Sequence, residues 1–282
     1  MLIDAHVHLF PYRLAEAVRA WFDQHAWSIR YRAKAEELIA ELLAGGVDRA
    51  VALPYSHKPG MAEALNAFTL ELARLHPMVV PCCTVFPGEP DEERILDEAF
   101  GRDGFAGMKL HSHVQRVSPD DPRCDAAWRA SARYRKPIVF HCSPEPAIPG
   151  YGVDVKQFSG AARLRRALER HPGAIAIVPH LGIDEFAAFE ALLRELPDVY
   201  LDTAMAISSY FEISGDPDLL RRHPTRILYG TDFPNLPYEW TRELAVIKAL
   251  RLPPADEAAV LGGNAARLFG IAPAASPSTG GS

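Results

Sequence analysis

The chain has 282 residues, 48% of them hydrophobic and 23% charged, which is ordinary for a globular protein with a sizeable core. A formal charge of -6 without a basic block argues against nucleic acid or an anionic membrane as partner, and no apolar run reaches the ~20 residues of a membrane-spanning helix. The cysteines, Cys82, Cys83, Cys124 and Cys142, form no C-x-x-C pair, so neither a thiolate zinc site nor a disulfide framework is expected, and a reducing cytoplasm is the default.

The first stretch, Ile3-Asp4-Ala5-His6-Val7-His8-Leu9-Phe10, alternates apolar and polar residues and reads as a strand. It starts so close to residue 1 that no signal peptide is expected. Side chains two apart on a strand share a face, so His6 and His8 can grip one metal ion; a pair of core histidines is the competing reading. Helical periodicity follows over residues 15–25 and 33–43, the latter stopped by Gly45-Gly46. Residues 49–54 read as a second strand, 61–75 as a helix, 78–86 as a third strand and 90–100 as a helix with an acidic first turn. The fourth strand is 105–111 (FAGMKLH), followed by a helix over 125–134; the fifth is 137–142, with a helix over 158–170. The sixth is 174–180, after which Asp184 is expected to cap a helix over 185–195. Strands over 199–203 and 226–232 and helices over 238–250 and 256–268 complete the series.

Eight short strands alternating with helices predict an α/β fold, a single (β/α)₈ TIM barrel, with any metal site at the C-terminal ends of its strands. An open doubly wound sheet would want a glycine-rich turn after the first strand, and none is present. Residues 1–271 are expected to form one domain and residues 272–282, small and polar, a flexible tail.

The polar residues ending the predicted strands are His6 and His8, Lys109 and His111, His141, His180 and Asp232. Their gathering at strand ends is a far stronger sign than any one of them. His25, His76, His171 and His223 fall elsewhere and are read as surface or helix-end residues. His57, Lys58, His113, Arg116, Glu145, Asp202 and Thr203 sit on or beside loops at the same face; taken singly, each reads as a solvated position.

His-x-His on strand one, GMKLH on strand four, PHLG on strand six, YGTDFP on strand eight and GGNAARLFG near the end resemble the amidohydrolase superfamily, and within it the amidohydrolase-related (amidohydrolase 2) family, which includes aminocarboxymuconate-semialdehyde decarboxylase. The resemblance implies a metal-dependent barrel with one divalent ion, usually zinc, held by His6, His8, His141 and Asp232, with His180 beside the metal-bound water. Three imidazoles and a carboxylate leave a position open for water, as catalytic sites do. Asp232 is then the proton acceptor, and His180 steers the water or stabilises charge on the substrate. Lys109, His111 and Arg116 are expected to contact the substrate, with Lys109 paired to an acid such as Asp4.

The expected activity is hydrolysis of a small-molecule amide, ester or lactone. Decarboxylation of an unsaturated or aromatic acid is the alternative, disfavoured because no cationic clamp for a carboxylate is legible. A barrel with a vestigial metal site is the third reading. The oligomeric state is not legible.

Overall fold

A computed structural model describes residues 1–272; the predicted tail beyond them lies outside the described residues. Eight parallel strands form one sheet in sequence order: β1 (Ile3–Val7), β2 (Arg49–Ala52), β3 (Val79–Cys83), β4 (Gly107–His111), β5 (Pro137–His141), β6 (Ile175–Val178), β7 (Val199–Asp202) and β8 (Ile227–Leu228). The ladder closes between its ends. Ala5 N donates to Tyr229 O at 2.9 Å, Asp232 N to His6 O at 3.0 Å, and His8 N to Phe233 O at 2.7 Å. Gly230 permits this seam, because a Cβ there would meet the His6 Cβ at 2.9 Å.

Among the described residues twelve α-helices follow in chain order: α1 (Tyr12–His25), α2 (Ala35–Ala44), α3 (Ala62–Leu75), α4 (Glu92–Gly101), α5 (Ser112–Gln115), α6 (Asp125–Tyr134), α7 (Ala161–Arg170), α8 (Phe186–Glu195), α9 (Leu219–Arg222), α10 (Arg242–Ala249), α11 (Pro254–Ala258) and α12 (Asn264–Phe269). The apolar core has two layers. Met108, Leu110, Ile138 and Phe140 pack outward among Trp128, Leu164 and Phe189 of the helices. Ile3, Val51, Cys82, Val139, Ile177 and Leu228 fill the barrel interior, where Ala265 and Phe269 of α12 join them. Cys82 and Cys83 thus face opposite layers, as alternation on a strand requires.

Several boundaries differ from the sequence reading. The last predicted helix is broken into α11, a π turn (Ala259–Gly263) and α12, where Gly262 lies so close to Met1 O that a Cβ would stand 2.5 Å away. Asp184 does not cap α8. It takes φ 74° and reaches Lys156 at 3.4 Å, while the neighbouring Glu185 accepts from Ala161 N at 2.7 Å and so ties α7 in place. Strand β6 ends before His180, which lies in a 3₁₀ turn (Pro179–Gly182).

Candidate active site

The pairing of β1 with β2 shifts register between Asp4 and Val7, an irregularity of the kind that re-aims side chains. Asp4 is buried and fixed by Thr231, accepting from its Oγ1 at 2.6 Å and its N at 3.1 Å. Burial pushes the Asp4 carboxyl up to about 7, against the pull of these hydrogen bonds. The loop after β8 is thereby tied to β1, and Asp232 is brought against the two histidines.

His6 Nδ1 lies 2.8 Å from Asp202 Oδ2 and His8 Nδ1 lies 2.7 Å from Leu53 O. Both partners are acceptors, so each Nδ1 carries a hydrogen and each neutral ring turns an Nε2 lone pair inward. The two Nε2 atoms are 3.2 Å apart. Asp232 Oδ1 stands 2.9 Å from His8 Nε2 and 3.6 Å from His6 Nε2. Three acceptors this close repel one another unless a cation joins them. Two nitrogens bound to one ion at about 2.0–2.2 Å stand about 3.0–3.4 Å apart. His6, His8 and Asp232 therefore fit a divalent metal.

His180 adopts φ 59°, a left-handed conformation that costs a β-carbon residue about 1–3 kcal/mol. Its N donates to Asp202 Oδ1 at 3.1 Å, and its Nδ1 donates to Ala204 O at 2.7 Å. The neutral ring then presents its Nε2 lone pair, 3.2 Å from His141 Nδ1. Asp202 is thus a hub, accepting from His6, His180 and Ala204 N. Burial moves its carboxyl up to about 6, partly offset by His180 and Lys109.

Lys109 is fully buried. Its Nζ lies 3.3 Å from His6 Nε2, and it has no carboxylate in ion-pair contact among the described residues. The expected pairing with Asp4 is not formed, because Thr231 and the His6 backbone take that carboxylate. Burial lowers the Lys109 ammonium to about 8, and Asp232 and Asp202 counteract part of the shift.

His111, His113 and His141 form a second group whose ligand atoms lie within 4.8 Å of one another. Burial, with the neighbouring imidazoles, holds His111 and His141 well below the ordinary histidine range, and burial takes His113 down to about 4. The sequence reading of His113 as a solvated loop residue is wrong: it is 1% exposed, because Ser143 and Ser159 from the far side of β5 close over it. Asp202 is likewise buried, at 0% exposure.

These residues lie at one end of a cavity of about 860 Å³. Trp21, Phe22, Trp27, Tyr55, Tyr151 and Phe211 give it aromatic walls, and Lys58, Arg116, Glu145 and Glu212 join Lys109 and Asp232 as its charged lining. His6, His8, Lys109, His111, His141, His180 and Asp232 all reach it. Arg116 is exposed and donates to Tyr151 O at 3.2 Å.

No helix among the described residues is long and apolar enough to cross a membrane. Searched against curated proteins, the sequence has no match. Among solved structures, an uncharacterized TIM-barrel protein from Bordetella bronchiseptica superposes with a TM-score of 0.71 at 16% identity, covering 96% of this chain and 98% of that one. A 2,6-dihydroxybenzoate decarboxylase from Rhizobium gives 0.67 at 16% identity, over 96% and 98%. A 5-carboxyvanillate decarboxylase from Novosphingobium aromaticivorans, complexed with manganese and 4-hydroxy-3-methoxy-5-nitrobenzoic acid, gives 0.68 at 16% identity, over 96% and 96%. Likenesses at this identity establish the shared barrel. The amidohydrolase family profile matches residues 3–271, and the chain belongs to that family.

Proposed function

We propose that the barrel mouth is the active site of a metal-dependent hydrolase acting on a small, largely apolar amide, ester or lactone. The observation that carries this reading is the combination of two proton acceptors, His180 Nε2 and the Asp232 carboxylate, with one buried donor, Lys109 Nζ. His6, His8 and Asp232 would hold a divalent ion; the sequence expectation adds His141 as a fourth ligand. Zinc suits imidazole and carboxylate donors. When bound, the ion supplies Lewis acidity and a lowered pKa for water.

The chain's own residues supply the rest. The aromatic walls hold a flat substrate and exclude water, and Arg116 stands on the cavity lining within reach of a polar substituent. As water adds to the substrate carbonyl, Asp232 accepts its proton, while His180 orients the water once its Nε2 exchanges its contact with His141 Nδ1, 3.2 Å away, for a hydrogen bond from that water. Lys109 Nζ donates to the oxygen on which negative charge develops. The carbon–heteroatom bond then breaks, and the leaving group takes the proton from Asp232.

A second reading, decarboxylation of an aromatic or unsaturated acid, is favoured by one feature. Lys109 is not committed to an acid, so the cationic clamp that the sequence does not reveal is available at the cavity floor. Two of the superposed barrels are decarboxylases of aromatic acids. The metal-loaded protein should be offered panels of lactones, esters, amides and aromatic acids. Cleavage of an ester, lactone or amide supports hydrolysis; release of carbon dioxide with no such cleavage overturns it.

A further inference from the structure

The aromatic rings that line the cavity stand at two levels. Tyr55 lies against the polar floor, its ring centroid 5.2 Å from those of His8 and His111. Tyr151 joins this level to the next, 5.4 Å from His113 and 5.0 Å from Trp21. From Trp21 the outer level runs on through Phe22 at 5.3 Å, Trp27 at 5.1 Å and Phe211 at a further 5.1 Å. These outer rings touch one another and not the floor histidines.

Three segments build this outer belt. Trp21 and Phe22 lie on α1, Tyr151 on the loop after β5 and Phe211 on the loop after β7. Gly150 lets the β5 loop close on the end of α1, since a Cβ there would stand 2.5 Å from the His25 ring. Trp27 is fixed by its Nε1, which donates to Asn235 O at 2.8 Å. With its one donor spent, the ring offers the cavity an apolar face. Trp21 and Trp27 remain half-buried, whereas the other two tryptophans, Trp128 and Trp240, are core residues at 0% and 4% exposure. A continuous apolar wall left open in this way marks a ligand surface.

A substrate with one ring and its carbonyl at Lys109 would be spent against Tyr55, because aromatic neighbours stand only about 4.5–7 Å apart. The outer belt would have no guest. The cavity volume of about 860 Å³ also lies near the upper end of the range of about 300–1,000 Å³ that takes a drug-sized ligand.

We propose that the substrate carries a two-ring aromatic body beyond its reacting carbonyl, the inner ring beside Tyr55 and the outer ring against Trp21 and Trp27, which select it. This rests on the reading of the cavity floor as a hydrolytic site. A saturated body of the same carbon count would bury similar area, but it would forgo the ring-to-ring contacts that aromatic pairs add to burial.

The test uses three ketones, which present a carbonyl and cannot be hydrolysed: acetophenone, acetylnaphthalene and its saturated counterpart acetyldecalin. Their affinities for the metal-loaded full chain are measured by isothermal titration calorimetry. Acetylnaphthalene should bind about 10–200-fold more tightly than acetophenone and about 2–10-fold more tightly than acetyldecalin. Trp21→Ala and Trp27→Ala should each weaken acetylnaphthalene by about 10-fold and leave acetophenone unchanged. Trp27→Phe keeps a ring and guards against misfolding as the cause; it should restore most of the affinity. Equal binding of acetophenone and acetylnaphthalene, tighter binding of acetyldecalin, variants that weaken both aryl ketones alike, or no binding of any of the three overturns the proposal. The ketones report no turnover, so the two readings fail separately. A two-ring preference in a protein that cleaves no ester, lactone or amide sinks the hydrolytic reading and leaves the two-ring body standing. Equal cleavage of one-ring and two-ring esters sinks the two-ring body alone.

Discussion

His6 and Asp202, 196 residues apart in sequence, meet at 2.8 Å inside the barrel, and that contact decides which nitrogen of His6 is free. A carboxylate on the far nitrogen fixes the tautomer and raises the basicity of the near one, and losing such a partner typically costs 10–100-fold in metal affinity. Asp202→Asn should therefore weaken zinc binding by about 10–100-fold, read by competition with a chromophoric chelator. Unchanged affinity would remove Asp202 from any positioning role.

His180 and Asp232 should separate cleanly. Asp232 converges with His6 and His8, whereas His180 is held by Ala204 and faces His141. We expect Asp232→Ala to lose the ion held by His6 and His8 together with turnover. His180→Ala should retain that ion and lose about 10²–10⁴-fold in kcat, the usual span for a positioned acid or base. Full turnover in His180→Ala would dismiss it from catalysis, and loss of that ion would make it a ligand.

Lys109→Met distinguishes the two chemistries. If Lys109 donates to charge that develops only during the reaction, kcat should fall by about 10²–10³-fold with little change in KM. A rise in KM at constant kcat would mean that it grips an anionic group already present on the bound substrate, as a decarboxylase requires. Steady-state kinetics on the substrate found in the panel would settle the point.

Glu92, on α4 and far from the metal ligands in sequence, should govern a pH dependence of stability. It is 5% exposed, and burial pushes its carboxyl up to about 7, with the Gly88 N–H at 2.9 Å offsetting part of the rise. Below the unfolded carboxyl range both states are protonated and the residue is neutral to stability. Between about pH 4.5 and 7 the unfolded chain ionises first, so stability falls as pH rises, and above 7 the penalty is constant. Glu92→Gln should therefore gain about 1–3 kcal/mol relative to the wild type at pH 8, and little at pH 4.5. Urea unfolding at the two values checks this; an equal difference at both would exclude Glu92 as the titrating group.

The barrel was legible because strand and helix periods alternate cleanly, and the histidines on β1 because a two-residue period puts them on one face. Asp232 and His180 stand out by position at the ends of apolar runs and by the resemblance of YGTDFP and PHLG, and the structure brings both to the cavity. His113 and Asp202 were passed over for a common reason. Each lies at a loop or strand edge that looks solvated, and its burial comes from partners distant in sequence: Ser143 and Ser159 for the one, His6 for the other. Lys109 failed in the opposite direction, since its inward orientation was read correctly but its partner was not. Only the three-dimensional structure reveals that Thr231 already holds Asp4.

Helix α12 seats Ala265 and Phe269 against the interior residues of the barrel, and Phe269 comes so near β4 that a Cβ on Gly107 would stand 3.0 Å from its ring. The end of the cylinder away from His6, His8 and Asp232 is stoppered by the last of the described helices. Among the described residues, the cavity with the aromatic walls is the approach to the other end. On the proposed function, substrate and product would both pass those walls, so groups that narrow the passage would act on arrival and departure alike.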